Sequence, residues 1–164
     1  FGGFQAPLRL TCDFVVVDFE TTSLHASQGA RILEVAAHRT RGDGKTLETF
    51  KTLINPWPAG ESGDTGAVHI HGITGDMIKD APSFPDVWPA LSAFLSDAIF
   101  VAHHAWFDAS FLAAEIDRYE LPAQVMPALC TYWLARAALP HEQRHNLEAV
   151  AADRKSTRLN SSHT

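Results

Sequence analysis

Two carboxylates stand where the apolar run of a strand ends. Phe14-Val15-Val16-Val17 leads into Asp18-Phe19-Glu20-Thr21-Thr22. Strand side chains alternate between faces, so Asp18 and Glu20 share one, with Cα atoms roughly 6.6 Å apart. A Val-rich run of this kind predicts a central strand covered on both faces, where paired like charges are costly unless cations compensate them. The chemistry implied is metal binding, although a lone Asp-x-Glu also arises where a strand simply emerges into solvent. A third acid lies in Val101-Ala102-His103-His104-Ala105-Trp106-Phe107-Asp108-Ala109-Ser110-Phe111-Leu112. Asp108 stands one turn into a helix that Phe111 and Leu112, at i+3 and i+4, anchor to the core. Alone, such an acid merely complements the helix dipole. Three acids at strand and helix ends make a candidate ligand set.

The elements that must position them can be read from pattern. Strands are predicted over Phe14 to Glu20, Arg31 to Thr40 and Leu47 to Ile54, with Arg41-Gly42-Asp43-Gly44 as a turn, so the sheet begins as an antiparallel meander. Asn55-Pro56-Trp57-Pro58 ends the third strand, and Ala59 to Gly66 reads as a mobile loop. Val87, Trp88, Leu91, Phe94 and Leu95 recur at helical spacing, with Asp86 as the expected N-cap and Pro89 in the tolerant first turn. A short strand, Ala98 to Ala102, then a helix from Ala105 to Tyr119 imply a switch to parallel crossover geometry. Cys130 to Ala138 and His145 to Ala152 read as two further helices. No internal repeat or second domain is evident.

Composition narrows the classes. At 164 residues, 46% hydrophobic and 20% charged, the chain suits one compact domain with a real core. A net charge of -6 argues against broad capture of a nucleic-acid backbone, so any such contact is expected to be short and metal-assisted. Cys12 and Cys130 form neither a metal-ligand spacing nor a disulfide framework, and are expected as small core residues in a reducing compartment, by default the cytoplasm. No apolar stretch reaches membrane-spanning length, so no membrane partner is expected.

The end of the chain reads differently. Asp153 to His163 translates, codon by codon, the common adapter oligonucleotide of short-read sequencing, which predicts a native domain over 1–152 and a foreign tail over 153–164. A polar, disordered tail has the same composition. Its three basic residues against one Asp leave the remainder more acidic than the whole.

Val15 to Leu24, His71-Gly72-Ile73-Thr74 and Val101 to Leu112 resemble, in order and spacing, successive motifs of the DEDDh (DnaQ-like) 3'-to-5' exonucleases, the group that includes the proofreading epsilon subunit of bacterial DNA polymerase III. Cys130-Thr131 with Leu134-Ala135-Arg136, then His145 to Val150, resemble the run-up to the family's final motif. The resemblance implies a ribonuclease-H-like α/β fold, a mixed central sheet flanked by helices. It also implies that Asp18, Glu20 and Asp108 are three of four carboxylates holding two divalent ions, Mg²⁺ or Mn²⁺, that cleave a terminal phosphodiester. Thr21, Thr22, His71, Gly72, Ile73 and Phe107 would hold the terminal nucleotide, Ile73 as an apolar surface under its base. The implied partners are a single-stranded 3' end of DNA, or RNA, and a DNA polymerase.

Two departures stand out. His104 occupies a position where the family usually has Asn, altering a hydrogen bond to substrate or to its surroundings. The final motif, a general-base His followed by the fourth carboxylate, is expected beyond Ala152; His163 has no Asp after it, and neither it nor His145 is assigned as base. The fragment is therefore expected to be impaired. Competing readings are a non-catalytic module holding a nucleic-acid end or a polymerase, and a zinc hydrolase built on His69, His71, His103 and His104. No Cys or Glu completes a zinc set. Trp57, Trp88, Trp106 and Trp133 are more economically core or rim aromatics than stacking platforms.

Overall fold

The computed structural model describes residues 12–140 and 144–151. The predicted tail over 153–164, and Ala152 before it, lie outside those residues. Five strands form one sheet in the order β3-β2-β1-β4-β5: β1 (Asp13–Thr21), β2 (Ile32–Thr40), β3 (Thr46–Leu53), β4 (Ala98–Ala102) and β5 (Ala128–Cys130). β1 pairs antiparallel with β2 and β2 with β3, while β1–β4 and β4–β5 are parallel. The meander followed by crossover is as expected. β5 was not expected: three residues behind Pro127 carry no periodicity, and Cys130, assigned to a helix from sequence, closes this strand instead.

The helices are two short turns, α1 (Val68–His71) and α2 (Gly75–Ile78), then α3 (Phe84–Leu95), α4 (Ala105–Arg118) and α5 (Thr131–Ala138). Residues 147–151 are also helical. α3 starts three residues earlier than Asp86 would place it. Ser83 is the N-cap, and Asp86 accepts hydrogen bonds from the Ser83 N–H and hydroxyl, a capping box. Pro85 therefore takes the early position, and Pro89 falls inside the helix, leaving the Pro85 carbonyl without its usual donor. The apolar face is as predicted: Val87, Trp88, Leu91 and Leu95 share one buried cluster with Val15, Val17 and Phe19 of β1 and Phe111 and Leu112 of α4.

β1 is central but not covered on both faces among the described residues. Val15, Val17 and Phe19 are buried, whereas Val16 and Asp18 are exposed and Glu20 half-buried. The acids therefore stand on an open face. The loop after β3, expected to be mobile, is tied down. Buried Asn55 donates to the Glu61 and Lys79 carbonyls and accepts from the Trp57 N–H, and buried Thr65 donates to the Ile73 carbonyl. Cys12 and Cys130 are half-buried free thiols, and Cys130 packs against the edge of the core cluster.

Candidate active site

The β1–β4 pairing ends at Val16↔Val101, so the last residues of β1 run on past β4. A register shift in the β1–β2 ladder falls between Glu20 and Thr21, a bulge that redirects the chain just beyond the acids. Asp18, exposed on one side but partly desolvated by its surroundings, has its carboxyl pushed up from the ordinary value by that desolvation and by the charge of Glu34. Glu20 is likewise raised, by burial, Asp18 and Glu34, against the lowering influence of His71 and Lys51. Glu34 lies directly across the ladder from Glu20 and is paired with Lys51 at 3.2 Å. This fourth acid was missed in the sequence, where its only signal was a charge inside Ile32-Leu33-Glu34-Val35.

Asp108 is brought to the same end by α4. His104, which begins that helix, has φ 65° and ψ 50°, in the left-handed region where Asn, Asp and His are the side chains most often tolerated. That requirement is one the His side chain can meet. The helix is then clamped in place by an ion pair. Glu115, 1% exposed, receives Arg31 Nε at 2.7 Å and Nη2 at 3.0 Å, while Arg31 also donates to the Tyr119 hydroxyl and the Pro56 carbonyl. A bidentate pair of this kind fixes orientation as well as distance. Nothing in the sequence separates Glu115 from the solvated acids of an amphipathic helix, so its role is legible only in the fold.

Asp108 itself is 3% exposed. Burial first, and then the charge of Asp18, push its carboxyl up to about 7, against hydrogen bonds from its own N–H and that of Phe19. A carboxyl so placed is protonated near neutrality unless a cation joins it. The donor set of hard oxygens, each carboxyl raised first by burial and then by a neighbouring carboxylate, suits a divalent cation. The acids are not drawn into a closed cage: among the described residues no three His, Cys, Asp or Glu side chains converge tightly enough to hold an ion by themselves. Asp18 and Asp108 line a cleft of about 530 Å³ together with His103, His104, Phe107 and Cys130. Two exposed indoles, Trp106 and Trp133, complete its rim. Glu20 is not among the lining residues.

The remaining expected residues divide. Phe107 lines the cleft while packing on Phe111 at 4.8 Å between ring centres. His71 sits close enough to influence Glu20, yet both ring nitrogens are engaged: Nδ1 accepts from the Ile73 N–H and Nε2 pairs with the Thr65 carbonyl. Thr21 donates to the Ser23 carbonyl, and the Thr22 hydroxyl accepts from the Arg31 N–H. Gly72 ends α1 at φ 74°, a conformational role. Ile73 is corrected: it is 3% exposed and packs with Leu33 and Ile78, so a base cannot rest on it. Its burial follows from the Thr65 and His71 hydrogen bonds that fold the turn inward. The exposed apolar side chains here are Ile70, at 75%, and Val68 of α1, which sequence reasoning passed over. His69, His71, His103 and His104 form no metal cluster among the described residues; His103 Nδ1 pairs with the Thr131 hydroxyl at 3.1 Å, while its buried Nε2 has no hydrogen-bond partner among them.

Residues 15–164 match the RNase T exonuclease family. The chain belongs to that family. Among relatives of this exonuclease domain, the PolC-type DNA polymerase III of Oceanobacillus iheyensis is 35% identical over 137 residues, 84% of this chain but 9% of that protein. The same polymerase of Streptococcus pneumoniae is 34% identical over 134 residues, 82% of this chain and 9% of its own length. The chain thus spans under a tenth of these relatives. A crystal structure of Escherichia coli exonuclease I with a dA16 oligonucleotide superposes with a TM-score of 0.68 at 18% identity, covering 80% of this chain and 31% of that one. That likeness shows the ribonuclease-H-like fold, with its mixed sheet of parallel and antiparallel pairs. Among the described residues, no helix of the exonuclease domain is long and apolar enough to cross a membrane.

Proposed function

We propose that this exonuclease domain removes nucleoside monophosphates from a single-stranded 3' end, most simply of DNA, with divalent metal ions held by Asp18, Glu20 and Asp108. The observation that carries the proposal is Asp108: a buried carboxyl raised to about 7, coupled to Asp18 across a cleft open to solvent. Such clustering destabilises the fold unless it serves to hold cations. When bound, Mg²⁺ or Mn²⁺ would supply a water deprotonated near neutral pH and charge to offset the leaving 3' oxygen. The chain's own residues do the rest. β1 aims Asp18 and Glu20 from one face, the Arg31–Glu115 clamp holds α4 so that Asp108 faces Asp18, and Phe107 closes the apolar side of the cleft. The relatives being polymerases supports DNA as substrate and a polymerase as partner, in the cytoplasm where replication enzymes work.

His103 and His104 line the same cleft as Asp18 and Asp108, and neither is assigned as general base. The second reading is a non-catalytic module that holds a nucleic-acid end. Its support is that the acids are not already gathered into a ligand set. One experiment separates the two: release of mononucleotides from a 5'-labelled single strand with Mn²⁺. The exonuclease predicts 3'-end shortening that disappears in Asp18→Ala; binding without shortening favours the module, and shortening that survives Asp18→Ala refutes the assignment of the acids.

A further inference from the structure

Of the four tryptophans, Trp88 is in the core and Trp57 is half-buried, but Trp106 is 85% and Trp133 63% exposed. Both line the cleft that holds Asp18 and Asp108. They come from different elements: Trp106 from the first turn of α4, two residues before Asp108, and Trp133 from the first turn of α5. Burial does not account for either. Exposed indoles in a solvent-open cleft are more informative than exposed aliphatics, because each offers a large rigid face with little rotamer entropy to lose.

Cationic charge sits beside them. The Arg136 guanidinium lies 5.1 Å from the centre of the Trp133 ring and 5.9 Å from that of Tyr132, which in turn stacks on His104 at 4.2 Å. A continuous ladder of planar groups therefore runs from Arg136 to the start of α4. The chain as a whole carries a net charge of -6 and cannot attract a phosphate backbone by its overall field. Aromatic platforms with a local Arg are the alternative means of holding single strands, since every base has a face to stack.

We propose that Trp106, Trp133 and Arg136 form an upstream subsite for single-stranded nucleic acid. The two indoles stack the bases that precede the 3'-terminal nucleotide, and Arg136 meets the phosphate between them. The subsite rests on the exonuclease reading for which end of the strand enters the cleft. It is sequence-tolerant, because stacking does not read base edges, and it requires a strand of at least three nucleotides.

The test uses the full chain with 5'-fluorescein-labelled hexathymidylate and, separately, thymidine monophosphate, both in Ca²⁺. Anisotropy reports hexamer affinity, and calorimetry reports the mononucleotide. Trp106→Ala and Trp133→Ala are each expected to weaken hexamer binding about 5- to 100-fold, with thymidine monophosphate affinity unchanged. Phe at either position is expected to restore most of the loss. Both indoles being exposed, neither substitution is expected to move the unfolding midpoint appreciably. Equal losses for hexamer and mononucleotide, or unchanged hexamer affinity in the double Ala variant, overturn the subsite. A change in oligomeric state with hexamer affinity unchanged overturns it in favour of a protein-facing surface. In a parallel assay with Mn²⁺, mononucleotide release by the wild type with the same KM in the Trp variants overturns the subsite alone; no release in Mn²⁺ and no hexamer binding in Ca²⁺ by the wild type overturn the exonuclease reading as well.

Discussion

Asp108→Asn separates the cost of a buried charge from its use. In the folded chain without metal the Asp108 carboxyl titrates at about 7, against 3.8 for an ordinary Asp. Because the folded value is raised, the favourable contribution is fully present below pH 3.8, is lost as pH rises, and is gone above about pH 7. At 1.36 kcal/mol per pH unit the difference amounts to roughly 4 kcal/mol, an upper bound because local relaxation reduces it. Asn has the same shape, still accepts from the Phe19 N–H and carries no charge. In a chelator, urea unfolding at pH 8 is expected to show Asp108→Asn more stable than wild type by up to about 4 kcal/mol, with little difference at pH 4. Adding Mn²⁺ at pH 8 is expected to narrow the difference, since an ion at free concentration c that binds only the folded state stabilises it by RT ln(1 + c/Kd) and the variant has lost a ligand. A variant no more stable than wild type at pH 8 without metal would refute the electrostatic reasoning. Equal stabilisation of both proteins by Mn²⁺ would remove Asp108 from the ligand set.

Other expectations follow from the elements that hold the site. Glu115→Ala leaves Arg31 half-buried without its partner and is expected to cost about 3–5 kcal/mol by chemical denaturation. Gly66→Ala drives a methyl group into the Thr22 carbonyl at φ +78°, so a marked drop in the unfolding midpoint is expected; a neutral result would mean that Gly66 does not lie against the Thr22 backbone. At the start of α4, His104→Gly or His104→Asn is expected to be tolerated, while His104→Val, β-branched in the left-handed region, costs on the order of 1–2 kcal/mol by the same measurement. Phe111→Ala empties a fully buried site beneath Asp108 and is expected to cost about 3–5 kcal/mol, with Mn²⁺ affinity falling in parallel if α4 shifts.

Much of the fold was legible because it is local. Alternation fixed β1 and put Asp18 and Glu20 on one face, and helical spacing gave the buried side of α3, though not its first turn, which a capping box between Ser83 and Asp86 decided. β5 escaped because three residues carry no period. The turn after α1 was misjudged at Ile73, since hydropathy cannot say which of Ile70 and Ile73 a pair of hydrogen bonds will fold inward.

The sequence by itself determined the identities of the three acids and the strand and helix that carry them, because side-chain periodicity depends only on backbone geometry. Only the tertiary structure decided that Asp108 is buried beside Asp18 and titrates near neutrality, that Glu115 is a clamp and Glu34 a neighbouring charge, and that Trp106 and Trp133 face the cleft. Each of those properties depends on the distance and solvent exclusion between groups far apart in the chain, and spacing along a sequence holds neither.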